Sequence, residues 1–234
     1  MSTKRDYVDV VYNEKDRPLT TYPAQLARYL FKRYNIKQRH KFLDIGCGRG
    51  EFLRGFIDCG VQGHGVDRSR AAERYCPEAD LRTADLENEK LPYPDNYFDV
   101  IYSKSVIEHF YYPEKLVQEM YRVLKPGGLA ITLVPDWEFN IRIYFEDYTH
   151  RTPFMQSSLR DIQLIHGFEN IEVERFRQLP ILWGEGRLLL PLAELTRIFT
   201  PSCFRNHSKW VRFSKEIMLL SSATKPLSAK ECNQ

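Results

Sequence analysis

The sequence predicts an α/β fold built on a doubly wound parallel sheet. Apolar runs typical of strands alternate with amphipathic segments between residues 41 and 134, and this alternation is typical of parallel βαβ units. The first strand enters a glycine-rich turn, Gly46–Gly50. Acidic or hydroxyl residues mark the strand ends: Asp44, Asp67, Asp85, Ser103 and Asp136. Ligands bind at the carboxyl ends of the strands in such sheets, so we expect these side chains to face one crevice.

The individual elements follow from apolar spacing and from glycine and proline positions. A helix begins near Pro23, because apolar residues recur there at three- and four-residue steps as far as Tyr34. The pattern then predicts strands at 42–45, 61–66, 81–84, 98–102, 129–134, 171–176 and 217–220. It predicts helices at 51–58, through Tyr75, from Pro113 to a stop at Lys125–Gly128, at 157–166 and along an apolar stripe at 188–199.

Composition limits the class of protein and its partners. The 234 residues are 43% hydrophobic and 13% aromatic, which suffices for a sizeable core. The net charge of +3, from 34 basic and 31 acidic residues, argues against nucleic acid as an obligate partner. No N-terminal apolar segment or membrane-length apolar run is present. Five cysteines without a CxxC pair favour reduced thiols, so we expect a soluble cytoplasmic protein: Cys47, Cys59, Cys76, Cys203 and Cys232.

The glycine turn predicts a ligand site, since glycine allows positive φ and close approach to the backbone. Taken alone, the turn suits nicotinamide, flavin or S-adenosylmethionine. Asp67 follows the second strand, where an acid can accept both ribose hydroxyls, although a helix-capping role is the alternative. Asp85 follows the third strand, where it can accept the adenine amino group. A nicotinamide site would want a third glycine where Glu51 stands.

The segments Leu43–Gly50, Ala84–Leu86 and Leu124–Gly128 together resemble the class I S-adenosylmethionine-dependent methyltransferases. The resemblance implies a Rossmann-like seven-stranded sheet of order 3-2-1-4-5-7-6, with an antiparallel last strand and a helical cap or insertion. It implies S-adenosylmethionine as the cofactor. The residues expected at the cofactor are Asp44, Gly46, Cys47, Gly48, Gly50, Asp67, Arg68, Asp85, Leu86, Ser103 and Lys104.

A second block, Asp147–Phe154, is similar to methyltransferases of bacterial surface-polysaccharide clusters. That similarity implies a small-molecule acceptor, anionic or sugar-linked, methylated on a hydroxyl or an amine. Two alternatives stay open: another metabolite, such as a quinone precursor or an amino-acid derivative, and a binding protein without turnover. Ser103–Val106 replaces the motif of nucleic-acid amino methylases, which disfavours that substrate class. No acidic cluster resembles the metal site of catechol-type enzymes, so no metal is expected.

The predicted catalytic residues are His150, Asp147 and His109. His150 is the candidate base because an imidazole titrates near neutrality, and Asp147 or Glu146 is expected to orient it. The alternative is that Asp147 and His150 only pin the insertion by hydrogen bonds. Glu108 and His109 are expected to line the methionine end of the pocket, or else to face solvent. Two roles stay open for three tyrosines, which either cover the cofactor or acceptor or only pack in the fold: Tyr12, Tyr22 and Tyr144.

The remaining expectations concern anion binding and organisation. Arg142, Arg151 and Lys104 are candidates for binding an anionic acceptor, with scattered surface cations as the alternative. We expect one domain: a helical cover (1–38), a cofactor-binding half (39–135), an acceptor-side half (136–223) and a tail (224–234). The stripe at 188–199 is interpreted as a packed cap or the face of a homodimer, with a membrane-surface role as the alternative.

Overall fold

The computed structural model describes residues 18–201, 204 and 208–227. Its strands are β1 Lys41–Ile45, β2 Gln62–Asp67, β3 Asp80–Thr83, β4 Phe98–Lys104, β5 Leu124–Pro135, β6 Glu169–Arg177 and β7 Ile217–Thr224. Its α-helices are α1 Tyr22–Arg33, α2 Glu51–Ile57, α3 Pro113–Val123, α4 Trp137–Asn140, α5 Gln156–Ile165, α6 Leu190–Phe199 and α7 Lys209–Lys215. Short 3-10 turns lie at Ala71–Arg74, Ile107–His109, Tyr144–Glu146, Pro180–Leu182 and Gly184–Leu189.

The strands form a single seven-stranded sheet of order β3-β2-β1-β4-β5-β7-β6. Strand β1 pairs in parallel with β2 and β4, whereas β7 runs antiparallel to β5 and β6. The predicted fold class and strand order are therefore confirmed. From β1 the chain adds β2 and β3 on one side and then β4 and β5 on the other, so the strand order reverses between β1 and β4. Ligands of open α/β sheets bind at such a switch point. The loops that follow β1 and β4 meet there.

Two apolar layers cover the sheet because side chains of a strand alternate between its faces. Phe42 of β1 lies in one layer, where it packs on Phe56 of α2 with ring centroids 4.2 Å apart. Leu43, the next residue, lies in the opposite layer with Leu116 of α3 and Leu159 of α5. Because both faces of β1 are covered by helices, its carboxyl end is fixed with respect to both layers.

Several element boundaries differ from the sequence prediction. Lys125–Gly128, predicted to stop a helix, lies inside β5; the helix ends at Val123, and a register irregularity opposite Phe98 and Val100 accommodates the extra residues. Helix α7 has no counterpart in the prediction, since seven residues give too few repeats of an apolar pattern.

The apolar stripe at 188–199 is largely exposed, which does not fit the packed-cap interpretation. Only Ala193 of α6 is buried, whereas Leu188 and Phe199 are 88% and 77% exposed. Dimer and membrane-surface roles both stay predictions. No helix within the described residues is long and apolar enough to cross a bilayer. Tyr12, Cys203, Cys232 and residues 228–234 of the predicted tail lie outside the described residues.

The connection between β3 and β4 is held by one guanidinium group. Arg122 of α3 donates to the carbonyl oxygens of Leu91 and Tyr93, both at 2.9 Å. It also pairs with Asp95 and Glu119, each with an N–O distance of 2.7 Å. This network positions the polar loop that leads away from Asp85 and Leu86.

Removing that guanidinium is expected to destabilise the fold. Arg122→Met keeps an apolar stem but removes the hydrogen bonds to two carbonyls and the ion pairs with two carboxylates, so we expect a loss of about 2–4 kcal/mol in the free energy of unfolding. Urea denaturation measures this loss. The control is Arg212→Met, which breaks an exposed i,i+4 pair with Glu216 and should cost about 1 kcal/mol or less. Equal effects of the two variants would contradict the prediction.

Candidate active site

The glycine loop between β1 and α2 is built from residues with positive φ. Gly46, Gly48 and Gly50 have φ of +69°, +53° and +81°, a region that residues with a Cβ rarely adopt. A Cβ on Gly46 would lie 2.4 Å from Cγ2 of Val106, so the close approach of that side chain also requires glycine. A Cβ on Gly48 would meet no atom within 4 Å. Gly48 therefore borders open space at the switch point.

Asp67, at the end of β2, is held against this loop. Its Oδ2 accepts a hydrogen bond from the Gly48 amide at 2.8 Å, and its Oδ1 accepts one from the Ser69 amide at 2.8 Å. The second bond is the local cap that the sequence offered as an alternative, and the first joins β2 to the glycine turn. Both oxygens keep further lone pairs that can accept hydrogen bonds from a ligand.

Two buried groups lie beneath the loop. The Asp44 carboxyl is 3% exposed, and its Oδ2 has no hydrogen-bond partner among the described residues. Burial, reinforced by the charge of Asp67, raises the pKa of Asp44 well above its usual range, and the nearby charge of Lys104 opposes that shift. Ser103 is also buried, and its hydroxyl lacks a partner in the described part of the chain. Unsatisfied buried polar atoms of this kind indicate a missing polar ligand or water.

The third strand end contributes Asp85 and Leu86. Asn88 donates to Asp85 at 2.9 Å, and this hydrogen bond lowers the pKa of the Asp85 carboxyl. Leu86 is buried, and Arg68 at the end of β2 is exposed. The predicted cofactor residues thus lie in the last residues of β1, β2 and β4 or in the loops that follow β1, β2 and β3, at the carboxyl ends of the parallel strands. Cys47, in the same loop, is a buried thiol whose pKa burial raises.

Asp136 was expected at the same crevice but is engaged in structure. It is 1% exposed, caps α4 by accepting from the Glu138 amide at 3.0 Å, and pairs with Arg175 of β6 at 2.9 Å. The sequence could not show that β6 brings a cation to this aspartate. The expectation that Asp136 faces the crevice is therefore replaced by a role in joining α4 to β6.

The segment at 144–154 crosses the turn that follows β4. The backbone amides of Arg151 and Thr152 donate to the carbonyl of Glu108 at 2.8 and 3.0 Å, and the Thr152 hydroxyl donates to the Phe110 carbonyl at 2.7 Å. These bonds pin the segment through Arg151 and Thr152, whereas the alternative offered from the sequence had assigned that role to Asp147 and His150. Because they come mainly from the backbone, the side chains of residues 147–150 are left to make other contacts.

Asp147 and His109 are joined through a threonine. The Thr149 hydroxyl lies 2.5 Å from Oδ1 of Asp147 and 2.8 Å from Nδ1 of His109. A carboxylate can only accept, so the hydroxyl donates to Asp147 and accepts from the Nδ1–H of His109. Burial lowers the pKa of His109, and the neighbouring His150 lowers it further. A neutral ring is left with its lone pair on Nε2.

His150 is oriented by a different group. Its Nδ1 lies 2.6 Å from the carbonyl oxygen of Tyr144, which can only accept, so Nδ1 carries the proton and Nε2 of the neutral ring carries the lone pair. The Tyr144 carbonyl thus fixes His150, and the Thr149 hydroxyl joins Asp147 to His109; an orienting role of Asp147 or Glu146 towards His150 stays a prediction. The two imidazole rings lie 4.8 Å apart between centroids.

Glu108 is the third member of this cluster, and nothing in the sequence pattern indicated that its side chain is buried. The side chain is fully buried, and neither carboxyl oxygen has a hydrogen-bond partner among the described residues. Burial raises its pKa to about 8; the charge of Lys104 works against this shift and that of Asp147 adds to it. One ligand-capable atom from each of Glu108, His109 and His150 lies within 4.8 Å of the others. The solvent-facing alternative for Glu108 is wrong.

The predicted aromatic cover is mostly packing. Tyr144 is buried, and its hydroxyl donates to the Thr152 carbonyl at 2.7 Å. Tyr22 donates to Gln178 at 3.1 Å and stacks on Phe213. Among the candidate anion-binding cations, Arg142 is exposed, and Arg151 donates to the carbonyl of Tyr148 at 2.5 Å.

Comparison with known proteins identifies the fold and its family. Residues 43–132 match the family model described as a methyltransferase domain. The chain contains a class I S-adenosylmethionine-dependent methyltransferase domain. A protein of Mycolicibacterium smegmatis described as a "probable S-adenosylmethionine-dependent methyltransferase" is 30% identical over 182 residues, which cover 71% of this chain and 66% of that protein. The predicted enzyme class and cofactor class of the domain are confirmed.

One further relative and one structural neighbour are named as phosphoethanolamine methyltransferases. Phosphoethanolamine N-methyltransferase 2 of Caenorhabditis elegans is 32% identical over 188 residues, which are 73% of this chain and 43% of that protein. The chain therefore spans less than half of that relative's length. A structure of phosphoethanolamine N-methyltransferase 2 of Haemonchus contortus with phosphomonomethylethanolamine and S-adenosylhomocysteine superimposes with a TM-score of 0.66 at 22% identity. The superposition covers 97% of this chain and 61% of the Haemonchus contortus chain, and the two share the same fold.

Proposed function

We propose that this protein transfers a methyl group from S-adenosylmethionine to a hydroxyl or amine of a small, carbohydrate-like acceptor. The observation that carries the proposal is the Asp67 carboxylate held by the Gly48 amide at the switch point of the sheet. A carboxylate fixed in this position can accept two vicinal ribose hydroxyls.

The residues present fit this cofactor. The unpartnered oxygen of Asp44 offers a buried acceptor for the ammonium group of the methionine part. The open space beside Gly48 lets a ligand approach the backbone. Asp85, with the buried Leu86 beside it, follows the neighbouring strand β3 and is the proposed acceptor for the adenine amino group. When bound, S-adenosylmethionine supplies a methyl group on a sulfonium, which is already activated towards nucleophiles.

The protein's task is then to align the acceptor and to remove a proton from it. Alignment alone is worth several kcal/mol, up to about 7–11 in favourable intramolecular cases. For a hydroxyl acceptor, the unprotonated Nε2 of His150 is the proposed proton acceptor, and proton transfer of this kind contributes about 10²–10⁴-fold. Asp147 positions His109 through Thr149. An amine acceptor would need only to be bound in its neutral form.

The acceptor class is supported by the cluster beside the cofactor residues and by the Asp147–Phe154 block. Phosphoethanolamine, named for two relatives, is an amine acceptor and defines the second candidate. Purified chain should therefore be incubated with radiolabelled S-adenosylmethionine and three panels: sugar nucleotides, phosphoethanolamine with its methylated forms, and quinone precursors. Methyl incorporation in one panel identifies the acceptor class. Calorimetry with S-adenosylmethionine tests the donor, and absence of binding would leave the binding-protein alternative.

Gly48→Ala is expected to weaken S-adenosylmethionine binding about 10-fold or more, because its Cβ would occupy the space open to the ligand. The strain of an alanine at positive φ should cost about 1–2 kcal/mol of stability. Gly184→Ala is the matched control, since Gly184 has φ of +62° and its Cβ would also meet no atom within 4 Å. It should show the same stability loss with unchanged affinity in calorimetry. Equal affinities for both variants would contradict the prediction.

A further inference from the structure

We propose that Glu108, His109 and His150 form a binding site for a divalent metal ion. One carboxylate and two imidazoles converge from two separate segments, the turn after β4 and the segment that crosses it. Their ligand-capable atoms lie within 4.8 Å of one another. Ligands on one ion with bonds of about 2.1 Å are about 3–4 Å apart, so small side-chain rotations would bring the three onto a common ion.

The hydrogen bonds around the two histidines prepare them as ligands. The Tyr144 carbonyl accepts from Nδ1 of His150, and the Thr149 hydroxyl accepts from Nδ1 of His109 while donating to Asp147. Both rings are thereby fixed as the tautomer with a free Nε2. Metal-binding histidines commonly donate their other ring N–H to a carbonyl or a carboxylate in this way, which fixes ring orientation and raises ligand basicity. Here the carboxylate acts through the threonine.

Glu108 supplies the independent observation that points to a ligand. Its side chain is fully buried, both of its oxygens lack a hydrogen-bond partner among the described residues, and one of them lies within 4.8 Å of a nitrogen of each imidazole. An unpaired buried carboxylate is costly. A divalent cation held jointly with two neutral imidazoles would satisfy this oxygen and balance its charge.

The ligand set selects the class of metal. Imidazole nitrogen suits zinc, iron, cobalt and related ions, whereas magnesium and calcium prefer sites made of oxygen alone. Two histidines and one carboxylate leave coordination positions open for an incoming molecule. We therefore expect Zn²⁺, Co²⁺ or Mn²⁺ to bind in preference to Mg²⁺. No metal was expected because the sequence lacks the acidic cluster of catechol-type enzymes. That argument concerns sites made of carboxylates, and it does not apply to a site with two imidazoles.

The role of the ion rests on the proposed function. With the ion bound, His109 and His150 are ligands, and an acceptor hydroxyl that coordinates the ion becomes more acidic. Its proton passes to water, the oxygen forms a bond to the methyl carbon, and the carbon–sulfur bond breaks with its electron pair remaining on sulfur. The ion would also fix the acceptor oxygen near the carboxyl end of β4, where the glycine loop lies.

The test uses the tag-free chain, treated with a chelator and dialysed. Titration with Mn²⁺ followed by electron paramagnetic resonance, and with Co²⁺ followed by visible absorption, should each show one saturable site per chain. Glu108→Gln and His150→Gln should weaken this binding about 100-fold. Thr149→Val, which removes the bridge between Asp147 and His109, should weaken it about 10-fold. His166→Gln is the matched control. His166 precedes the edge strand β6, whereas the three proposed ligands lie in and across the turn after the central strand β4, so this variant should bind like wild type.

Each outcome decides one question. The absence of saturable binding in the wild-type chain, or equal binding in all variants, would overturn the metal site. Calorimetry with S-adenosylmethionine, run on every variant, shows whether the cofactor site is intact and so separates local loss of ligands from misfolding. Methyl transfer that persists in a chelator, without metal binding, would refute the metal site and leave the proposed function standing. Metal binding without S-adenosylmethionine binding would refute the proposed function alone.

Discussion

Asp67→Ala is expected to weaken S-adenosylmethionine binding by about 100-fold or more. Hydrogen bonds to a charged group are each worth about 1.5–3 kcal/mol, and two ribose hydroxyls would lose their acceptor together. The Gly48 and Ser69 amides would also lose the oxygens that hold them at 2.8 Å, so the glycine loop would be less ordered before binding. Isothermal titration calorimetry measures the affinity, and thermal unfolding measures the accompanying loss of stability.

Two further variants make this result interpretable. Asp67→Asn retains one carbonyl oxygen and should lie between wild type and Asp67→Ala. Asp58→Ala removes a carboxylate that follows α2 and pairs with Arg54 at 3.5 Å, and it should leave the affinity unchanged. If Asp67→Ala bound S-adenosylmethionine as tightly as Asp58→Ala does, Asp67 would be only a local cap, and the proposed position of the ribose would be wrong.

The fold was predictable because its signals are local. The apolar run 42–45, the glycines that follow it and the acids at 67 and 85 are short patterns of neighbouring residues, so they can be recognised without knowing which strands pair. Strand order came from resemblance, since pairing between β1 and β4 joins residues more than 50 positions apart. Helix α7 and the path of β5 through Lys125–Gly128 depend on pairing partners that no local pattern specifies.

The candidate site divides along the same line. Gly48 and Asp67 could be placed because both lie at strand ends that meet in any doubly wound sheet. The partners of His109 and His150 could not, because they come from a segment without periodicity that folds across the turn after β4. The burial of Glu108 has the same origin: nothing in the sequence shows that the backbone of Arg151 and Thr152 covers it. The sequence shows that Glu108 and His109 are adjacent, but it does not show that His150 lies beside both of them.

His150→Gln is expected to lower kcat by about 10²–10⁴-fold while leaving the affinity for S-adenosylmethionine nearly unchanged. Glutamine is similar in size to the imidazole, which keeps the local packing, but its amide offers no basic nitrogen near Glu108 and His109. Turnover at saturating S-adenosylmethionine and affinity for S-adenosylmethionine should be measured separately, so that a loss of proton transfer is distinguished from a loss of cofactor binding. His166→Gln should behave like wild type throughout.

The response of the His150→Gln enzyme to additives separates the two roles of this ring. Added imidazole should restore part of the rate if His150 is the base, since a free imidazole can take the proton from the acceptor. Added Mn²⁺ or Co²⁺ at high concentration should restore it if His150 is a metal ligand, because mass action then compensates for the lost contact. Normal turnover of His150→Gln without additives would contradict both roles and would limit His150 to its contact with the Tyr144 carbonyl.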